Sequence, residues 1–368
     1  MKLENGEISN SQLMRLVLSF LQSMILTINF AYAITKHDTW IAVLAAFAIA
    51  VLIALVYTGI AKKFPGQNLV QINDIVFGRY LGKLISALYI WYFFQLIIHY
   101  MYFFNSFWIT FIMPETPRAA FLVMFTFVCA MAVRKGLEVI TRLTFSFITI
   151  VTISLLTVTV LLIRDMKLIN LLPVFEISIK DFIQGVHIIL AIPLCDIVVF
   201  LMILPYTADK QKIIKPVLVG LSLSVVQLMI VVLRDTAVLG PRLLVVSSAS
   251  YAAIRQIDVA NVLTRLDILV AVTLLITVFM KISIFYYVTV LSTAQILKLN
   301  SYKPLVIPIG AIAAAIAANL YPSDMEQVYA GTYVWPFNAF IGEFLLPIMT
   351  IIIIAIRRLP KKEGEKAS

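Results

Sequence analysis

The sequence predicts an all-α membrane protein of ten transmembrane helices, and three observations carry that expectation. Of 368 residues, 62% are hydrophobic and 13% charged, whereas a soluble domain is roughly half apolar and a quarter charged. Mean hydropathy is +1.00. Apolar runs of about 20 residues, each able to cross about 30 Å of hydrocarbon as a helix, recur along nearly the whole chain. Backbone groups in lipid must be satisfied within helices or a closed barrel, and the alternating ten-residue pattern of a barrel is missing.

The expected spans are 12–35, 39–61, 83–112, 119–133, 143–163, 182–204, 214–233, 266–297, 304–321 and 336–356. In the first, Leu13 to Ile34 is too long for a signal-peptide core, and Glu4 and Glu7 spoil its basic flank. Ala31-Tyr32-Ala33 is therefore read as part of an uncleaved span. Breakers or charges separate the spans, as in Lys62-Lys63-Phe64-Pro65-Gly66, Pro114-Glu115-Thr116-Pro117-Arg118, Arg134-Lys135-Gly136 and Tyr321-Pro322-Ser323-Asp324. Residues 67–82 are polar enough for a cytoplasmic interfacial helix.

The expected organisation is a cytoplasmic N-terminus (1–11), a first repeat of helices one to five (12–163), an external connection (164–181), a second repeat of helices six to ten (182–356) and a basic cytoplasmic tail (357–368). The second repeat contains an external loop, 234–265, with room for an amphipathic helix on the outer surface. Because five is odd, the second block has inverted topology relative to the first, a plan that places ligands at mid-membrane near interrupted helices.

Charge sets the orientation. Of 29 Lys and Arg residues, nine fall in the external segments (Lys36, Arg118, Arg164, Lys167, Lys180, Arg234, Arg242, Arg255 and Arg265) and Lys281 lies inside a span. The nineteen that remain are cytoplasmic if both termini are, as the positive-inside rule requires. The net charge of +10 thus serves topology and headgroups rather than nucleic acid. Cys129 and Cys195 both fall inside spans, so no disulfide framework is expected. Metalloprotease, Walker and nucleophile-elbow motifs are absent and the three histidines are scattered, so neither an enzyme, a metal nor a cofactor is expected.

Ionisable groups inside a bilayer are costly unless paired or facing water, and so mark candidate sites. Lys281, in Phe279-Met280-Lys281-Ile282-Ser283, is too deep to snorkel. It can carry a proton, hold a ligand carboxylate, or lock two helices in an ion pair with Asp196 or Glu343. Span six carries Ala191-Ile192-Pro193-Leu194-Cys195-Asp196, where Pro193 removes a backbone donor beside a carboxylate. In span one Gln22-Ser23 and Thr27-Ile28-Asn29 interrupt the apolar run. These hydroxyls and the amide serve either a ligand or interhelical hydrogen bonds. His99, flanked by Tyr92 and Tyr102, is a pathway or packing histidine, and the aromatics from Trp91 to Trp108 are read as core and interfacial belt. The candidate ligand set is Ser23, Thr27, Asn29, Tyr92, His99, Pro193, Cys195, Asp196, Lys281 and Ser283. Asp196, Lys281 and Glu343 form a possible ion pair or proton site.

Several stretches, taken in order, resemble the spore-germination permease family, the B subunits of GerA-type germinant receptors. They are Ile8-Ser9-Asn10-Ser11-Gln12-Leu13, Asp38-Thr39-Trp40-Ile41, Phe64-Pro65-Gly66-Gln67-Asn68-Leu69, Arg134 to Arg142, Leu172-Pro173-Val174, Thr264-Arg265-Leu266-Asp267, Phe279 to Phe285, and Tyr321-Pro322 through Trp335 to Arg357-Arg358. The resemblance implies a ten-helix, LeuT-like fold of the amino acid–polyamine–organocation type, with helices one and six unwound around a small ligand. It implies the spore inner membrane, A-type and lipoprotein C-type partner subunits, and nutrient sensing that triggers germination. Asp196 looks like the family's acidic position in span six, although the spacing to Pro205 differs, and Lys281 looks like its lysine in span eight. Where many relatives carry a glycine-rich turn and proline in span one, this chain reads Ser23-Met24-Ile25-Leu26-Thr27-Ile28-Asn29-Phe30, which lacks those means of unwinding. The expected function is a nutrient sensor, with an amino acid as ligand. The alternatives are a proton-coupled amino-acid permease and a structural scaffold for receptor partners.

Overall fold

A computed structural model describes residues 6–256 and 266–359. The first five residues, the last part of the predicted 234–265 loop with Asp258, Thr264 and Arg265, and nearly all of the 357–368 tail lie outside the described residues. Among the described residues the structure is helical, and the only β contact is a single bridge between Ile8 and Thr207.

The first predicted span is three collinear pieces, α1 (Asn10–Leu21), α2 (Met24–Thr27) and α3 (Asn29–Thr35). A capping box starts it: Ser9 Oγ accepts from the Gln12 amide at 3.2 Å and Gln12 Oε1 from the Ser9 amide at 2.7 Å. The interruptions at Gln22-Ser23 and Ile28 keep right-handed helical torsions. Ser23 and Thr27 turn their hydroxyls back onto the carbonyls of Phe20 and Met24, at 3.0 and 3.4 Å. The helix is loosened but not unwound, as expected of a stretch with neither glycine nor proline.

Lys36, at φ 50°, breaks the chain before α4 (Thr39–Lys63). The polar stretch expected at the interface forms α5 (Leu69–Phe77), opened by an Asn68–Gln71 capping box. Gly78, at φ 85°, turns the chain into α6 (Arg79–Phe111), whose 33 residues extend about 50 Å. Helices α7 (Arg118–Lys135) and α8 (Leu137–Leu162) meet at Gly136, at φ 89°. Both run longer than the charges suggested, because one glycine makes the turn and the basic residues stay helical.

The sixth span breaks where Pro193 predicted. After α9 (Ile179–Ile189) comes a π-helical turn at residues 190–194 and a 3₁₀ segment at 195–202. Helix α10 (Ile214–Leu239) passes the expected end at 233. Arg234, placed in the external loop on its charge, is only 3% exposed and pairs with its neighbour Asp235 at 2.6 Å. Ser250 closes the cluster, accepting from Arg234 Nη2 at 2.8 Å and donating to Asp235 Oδ2 at 2.6 Å. The helix expected on the outer surface is α11 (Ala249–Ile254), and it is buried rather than superficial. Its amide at Ala249 donates to Asn29 Oδ1 at 3.0 Å, and Tyr251 donates to Asp267 at 3.1 Å. The remainder is α12 (Asp267–Ile296), α13 (Lys303–Ala318), α14 (Asp324–Tyr329), α15 (Trp335–Phe340) and α16 (Leu346–Ile356). Two π-helical turns, at 330–334 and 341–345, interrupt the last three.

Seven helical runs among the described residues are long and apolar enough to cross a membrane: Asn29–Lys63, Arg79–Phe111, Leu137–Asp165, Ile179–Met202, Ile214–Leu244, Asp267–Ile296 and Asp324–Ile356. Helix α12 is the centre of the bundle, packed on α1, α6, α7 and α8, with Lys281, Phe285, Tyr286 and Tyr287 fully buried. Close approaches depend on small residues: a Cβ on Gly185 of α9 would collide with Thr35, and one on Gly310 of α13 with Tyr286.

Two segments quoted above for their resemblance meet in space. Asp38, fully buried, accepts from the backbone amides of Phe175, Glu176 and Ile177 at 2.8, 3.0 and 3.5 Å, and His37 Nε2 reaches Pro173 O at 2.7 Å. One carboxylate thus holds the connection between α8 and α9 onto the end of α3. Asp38→Ala strips three backbone amides of their buried acceptor and is expected to cost about 3 kcal/mol. The measurement is thermal unfolding of the purified protein, with protease cleavage within 166–178 as local readout. Unchanged stability and cleavage would refute the assignment.

Candidate functional site

The interrupted sixth span presents Asp196 to Lys281 of α12. Lys281 Nζ lies 2.6 Å from Asp196 Oδ2, and neither side chain is exposed. The ammonium also sits over the rings of Phe20 (4.6 Å) and Tyr100 (4.7 Å), with Phe285 at 5.9 Å. In a site closed to water, aromatic faces replace part of its hydration. The cation thereby joins α1, α6, α12 and the sixth span at one point.

Tyr100 carries the connection outward. Its hydroxyl lies 3.0 Å from Asp196 Oδ2 and 3.0 Å from the carbonyl of Ile192, in the π-helical turn that Pro193 interrupts. Glu343, in the π-helical turn at 341–345, accepts from the Tyr92 hydroxyl at 2.8 Å through Oε1, while Tyr57 donates to its main-chain carbonyl at 2.5 Å. The turn that carries Glu343 packs against the 3₁₀ segment that carries Asp196, so the two carboxyls act on each other's charge. The expected trio of Asp196, Lys281 and Glu343 is therefore one cluster, with Tyr92 in it.

A cavity of about 40 Å³ lies on the other side of Tyr100. Thr27, Phe30, Leu96, His99, Tyr100, Phe103, Ile192, Tyr321, Gln327, Gly331 and Trp335 line it. Space of that size holds about three waters. His99 leans on Trp335 with ring centres 4.3 Å apart, and its Nδ1 is engaged with Gln95 O at 2.7 Å. Tyr92 stacks on the same indole, with centres 6.0 Å apart and planes 8° from parallel. Gly331 leaves room for Phe30, whose ring a Cβ there would strike.

The other sequence candidates sit apart from this cavity. Ser23 is absorbed by its own helix, and Asn29 ties α3 to α11 with Oδ1 while Nδ2 donates to Leu26 O at 2.9 Å. Cys195 is buried beside Asp196. Ser283, two residues beyond Lys281, points away from the ion pair and meets Cys129 in α7. Sequence reasoning assigned Tyr100 and Phe103 to core and belt and gave Trp335 no role at the site. The spacing of Tyr92, Leu96, His99, Tyr100 and Phe103 does trace one helix face and would have grouped them. The Arg234–Asp235–Ser250 cluster had no comparable signal, because adjacent opposite charges read as a loop.

A helical bundle whose sixth span breaks beside a small cavity has the LeuT-type fold, and solved structures match it along almost the whole chain. A Na⁺-coupled sialic acid symporter in its substrate-bound outward-open state superposes with TM-score 0.66 at 11% identity, covering 96% of this chain and 84% of that one. MhsT in complex with L-phenylalanine gives TM-score 0.66 at 11% identity, covering 96% and 99%. Mhp1, a nucleobase-cation-symport-1 family transporter, gives 0.61 at 12%, covering 97% and 96%. At these identities the likeness concerns the fold alone.

Within that class, the chain belongs to the spore germination protein family, whose profile matches residues 7–325. Spore germination protein KB of Bacillus subtilis (strain 168) is 28% identical over 374 residues, 99% of this chain and all of that one. The putative spore germination protein YfkT of the same organism is 23% identical over 326 residues, covering 88% and 89%.

The geometry generates a stability test. Lys281→Met leaves Asp196 buried without its cation and is expected to destabilise by about 3–5 kcal/mol. The double variant Lys281→Met/Asp196→Leu, which removes both charges, should be less destabilised than Lys281→Met alone. Thermal unfolding of the three proteins in the same detergent measures it, and additive losses would remove the ion pair from its central role.

Proposed function

We propose that the protein is the ligand-sensing membrane subunit of a spore germinant receptor, and that a small nutrient, an amino acid, binds at mid-membrane in the aromatic cavity. The observation that carries this reading is the position of Tyr100, which is at once a wall of the cavity and a hydrogen-bond partner of Asp196 in the Asp196–Lys281 pair. Because the cavity holds only about three waters, a nutrient enters only if Phe30, His99 or Trp335 moves, so occupancy and conformation change together. Thr27 and His99 are the sequence candidates placed to touch it, while Asp196, Lys281, Glu343 and Tyr92 report on it.

The reading includes ten crossings with both termini in the cytoplasm of the spore inner membrane, and A-type and lipoprotein C-type subunits as partners. The break at Lys36, which divides the run Asn29–Lys63, the helix Arg118–Lys135 and the short apolar helix Lys303–Ala318 together support that count. One observation favours a second reading, a proton-coupled amino-acid permease: Lys281 is a fixed cation between α1 and the sixth span, where a coupling ion would act in a transporter of this fold.

Spores lacking the protein, rescued with wild type or with Lys281→Met, separate the two. The sensor requires that wild type alone restores nutrient-triggered germination while the variant is still found in the membrane. If deletion leaves germination unchanged on a broad nutrient panel and amino-acid uptake falls, the permease replaces it.

A further inference from the structure

Glu343 presents a charge problem that the ion pair does not solve. Its side chain is fully buried, and among the described residues no Lys, Arg or His lies within ion-pair distance of it. The single nearby cation, Lys281, is taken by Asp196 at 2.6 Å. Tyr92 satisfies Oε1, but among the described residues Oε2 receives no donor, and neither does Asp196 Oδ1. An ionised Glu343 would give this dry cluster two carboxylates against one ammonium, with two oxygens facing no proton. Neutralising such a group is cheaper than burying it charged. One added proton solves both problems, because a protonated Glu343 Oε2 donates and Asp196 Oδ1 is the vacant acceptor.

We propose that the junction of the sixth and tenth spans is a proton-binding site in which Glu343 Oε2 carries one proton and donates it to Asp196 Oδ1. The cluster is then neutral, with Lys281 cationic, Asp196 anionic and Glu343 protonated. The groups facing it are Tyr57 from α4, Tyr89, Tyr92 and Tyr100 from α6, Cys195 from the sixth span and Lys281 from α12. None of the tyrosines or the cysteine supplies a charge at neutral pH. Both carboxyls ride on irregular turns, Glu343 on the π-helical turn at 341–345 and Asp196 on the 3₁₀ segment that follows the π-helical turn at 190–194. Such turns shift register more readily than regular helix. Separating them breaks the carboxyl–carboxylate contact and admits water, which takes the proton from Glu343. The closed arrangement therefore binds one proton more than an open one. This holds whatever occupies the cavity and does not depend on the germinant reading.

Infrared spectroscopy of the full-length protein in liposomes tests it, through the carbonyl stretch of a protonated carboxyl at neutral pH, where exposed carboxyls have ionised. Wild type should show the band. Glu343→Gln, which keeps the shape and the donor to Asp196, should lose it while the protein stays folded, and the exposed Glu138→Gln should not change it. Tyr92→Phe should shift the band without abolishing it, because it removes a donor to the other oxygen. A wild type without the band, or a Glu343→Gln variant that retains it in full, overturns the proposal.

Discussion

The structure depends on a lysine ammonium held where there is no water. Lys281 and Asp196 are each too costly to bury alone, and only their 2.6 Å contact makes either tolerable in hydrocarbon. The pair exists only if the sixth span stops being a regular helix at Pro193, if α12 runs through the middle of the bundle, and if α1 brings Phe20 over the ammonium. Each condition is met by residues that do not line the aromatic cavity. The ion pair is less a source of stability than a specification of which four helices meet, and at what height.

The end of the bundle around α3 and α11 follows a similar rule with different residues. Asp38 holds a loop by three amides, and the Arg234–Asp235–Ser250 cluster holds α11 between α10 and α3. In both places a charge that hydropathy assigns to water is drawn inside and satisfied by the polypeptide itself. The connections that look long and loose in the sequence are consequently fastened parts of the bundle.

What was legible in the sequence followed from the bilayer. A solvent that supplies no hydrogen bonds makes helices obligatory and leaves breakers and charges as punctuation. The places of α4, α6 and α12, the break at Pro193 and the buried trio of Asp196, Lys281 and Glu343 could therefore be read directly. The rest was not legible because it is pairwise. Arg234 appears external until Asp235 and Ser250 are seen to neutralise it, and α11 appears superficial until Asn29 and Asp267 are seen to hold it. Tyr100 is one aromatic among many in α6, and its role appears only when Ile192 and Asp196 arrive from ninety residues away. The helix ends at Gly136 and Leu239 slipped because basic residues mark both loops and the last turns of helices.

The position of Tyr100 has a consequence for what the protein can detect. A side chain that forms the wall of one compartment and the hydrogen bond of the next makes the two thermodynamically reciprocal: whatever alters the strength of one alters the other by the same free energy. An uncharged molecule lodged against that ring would then be registered by an electrostatic pair it never touches. Conversely, the state of the pair would set how tightly the molecule is held. Under the proposed reading, recognition would belong to the cavity and response to the ion pair, with a single phenol linking them.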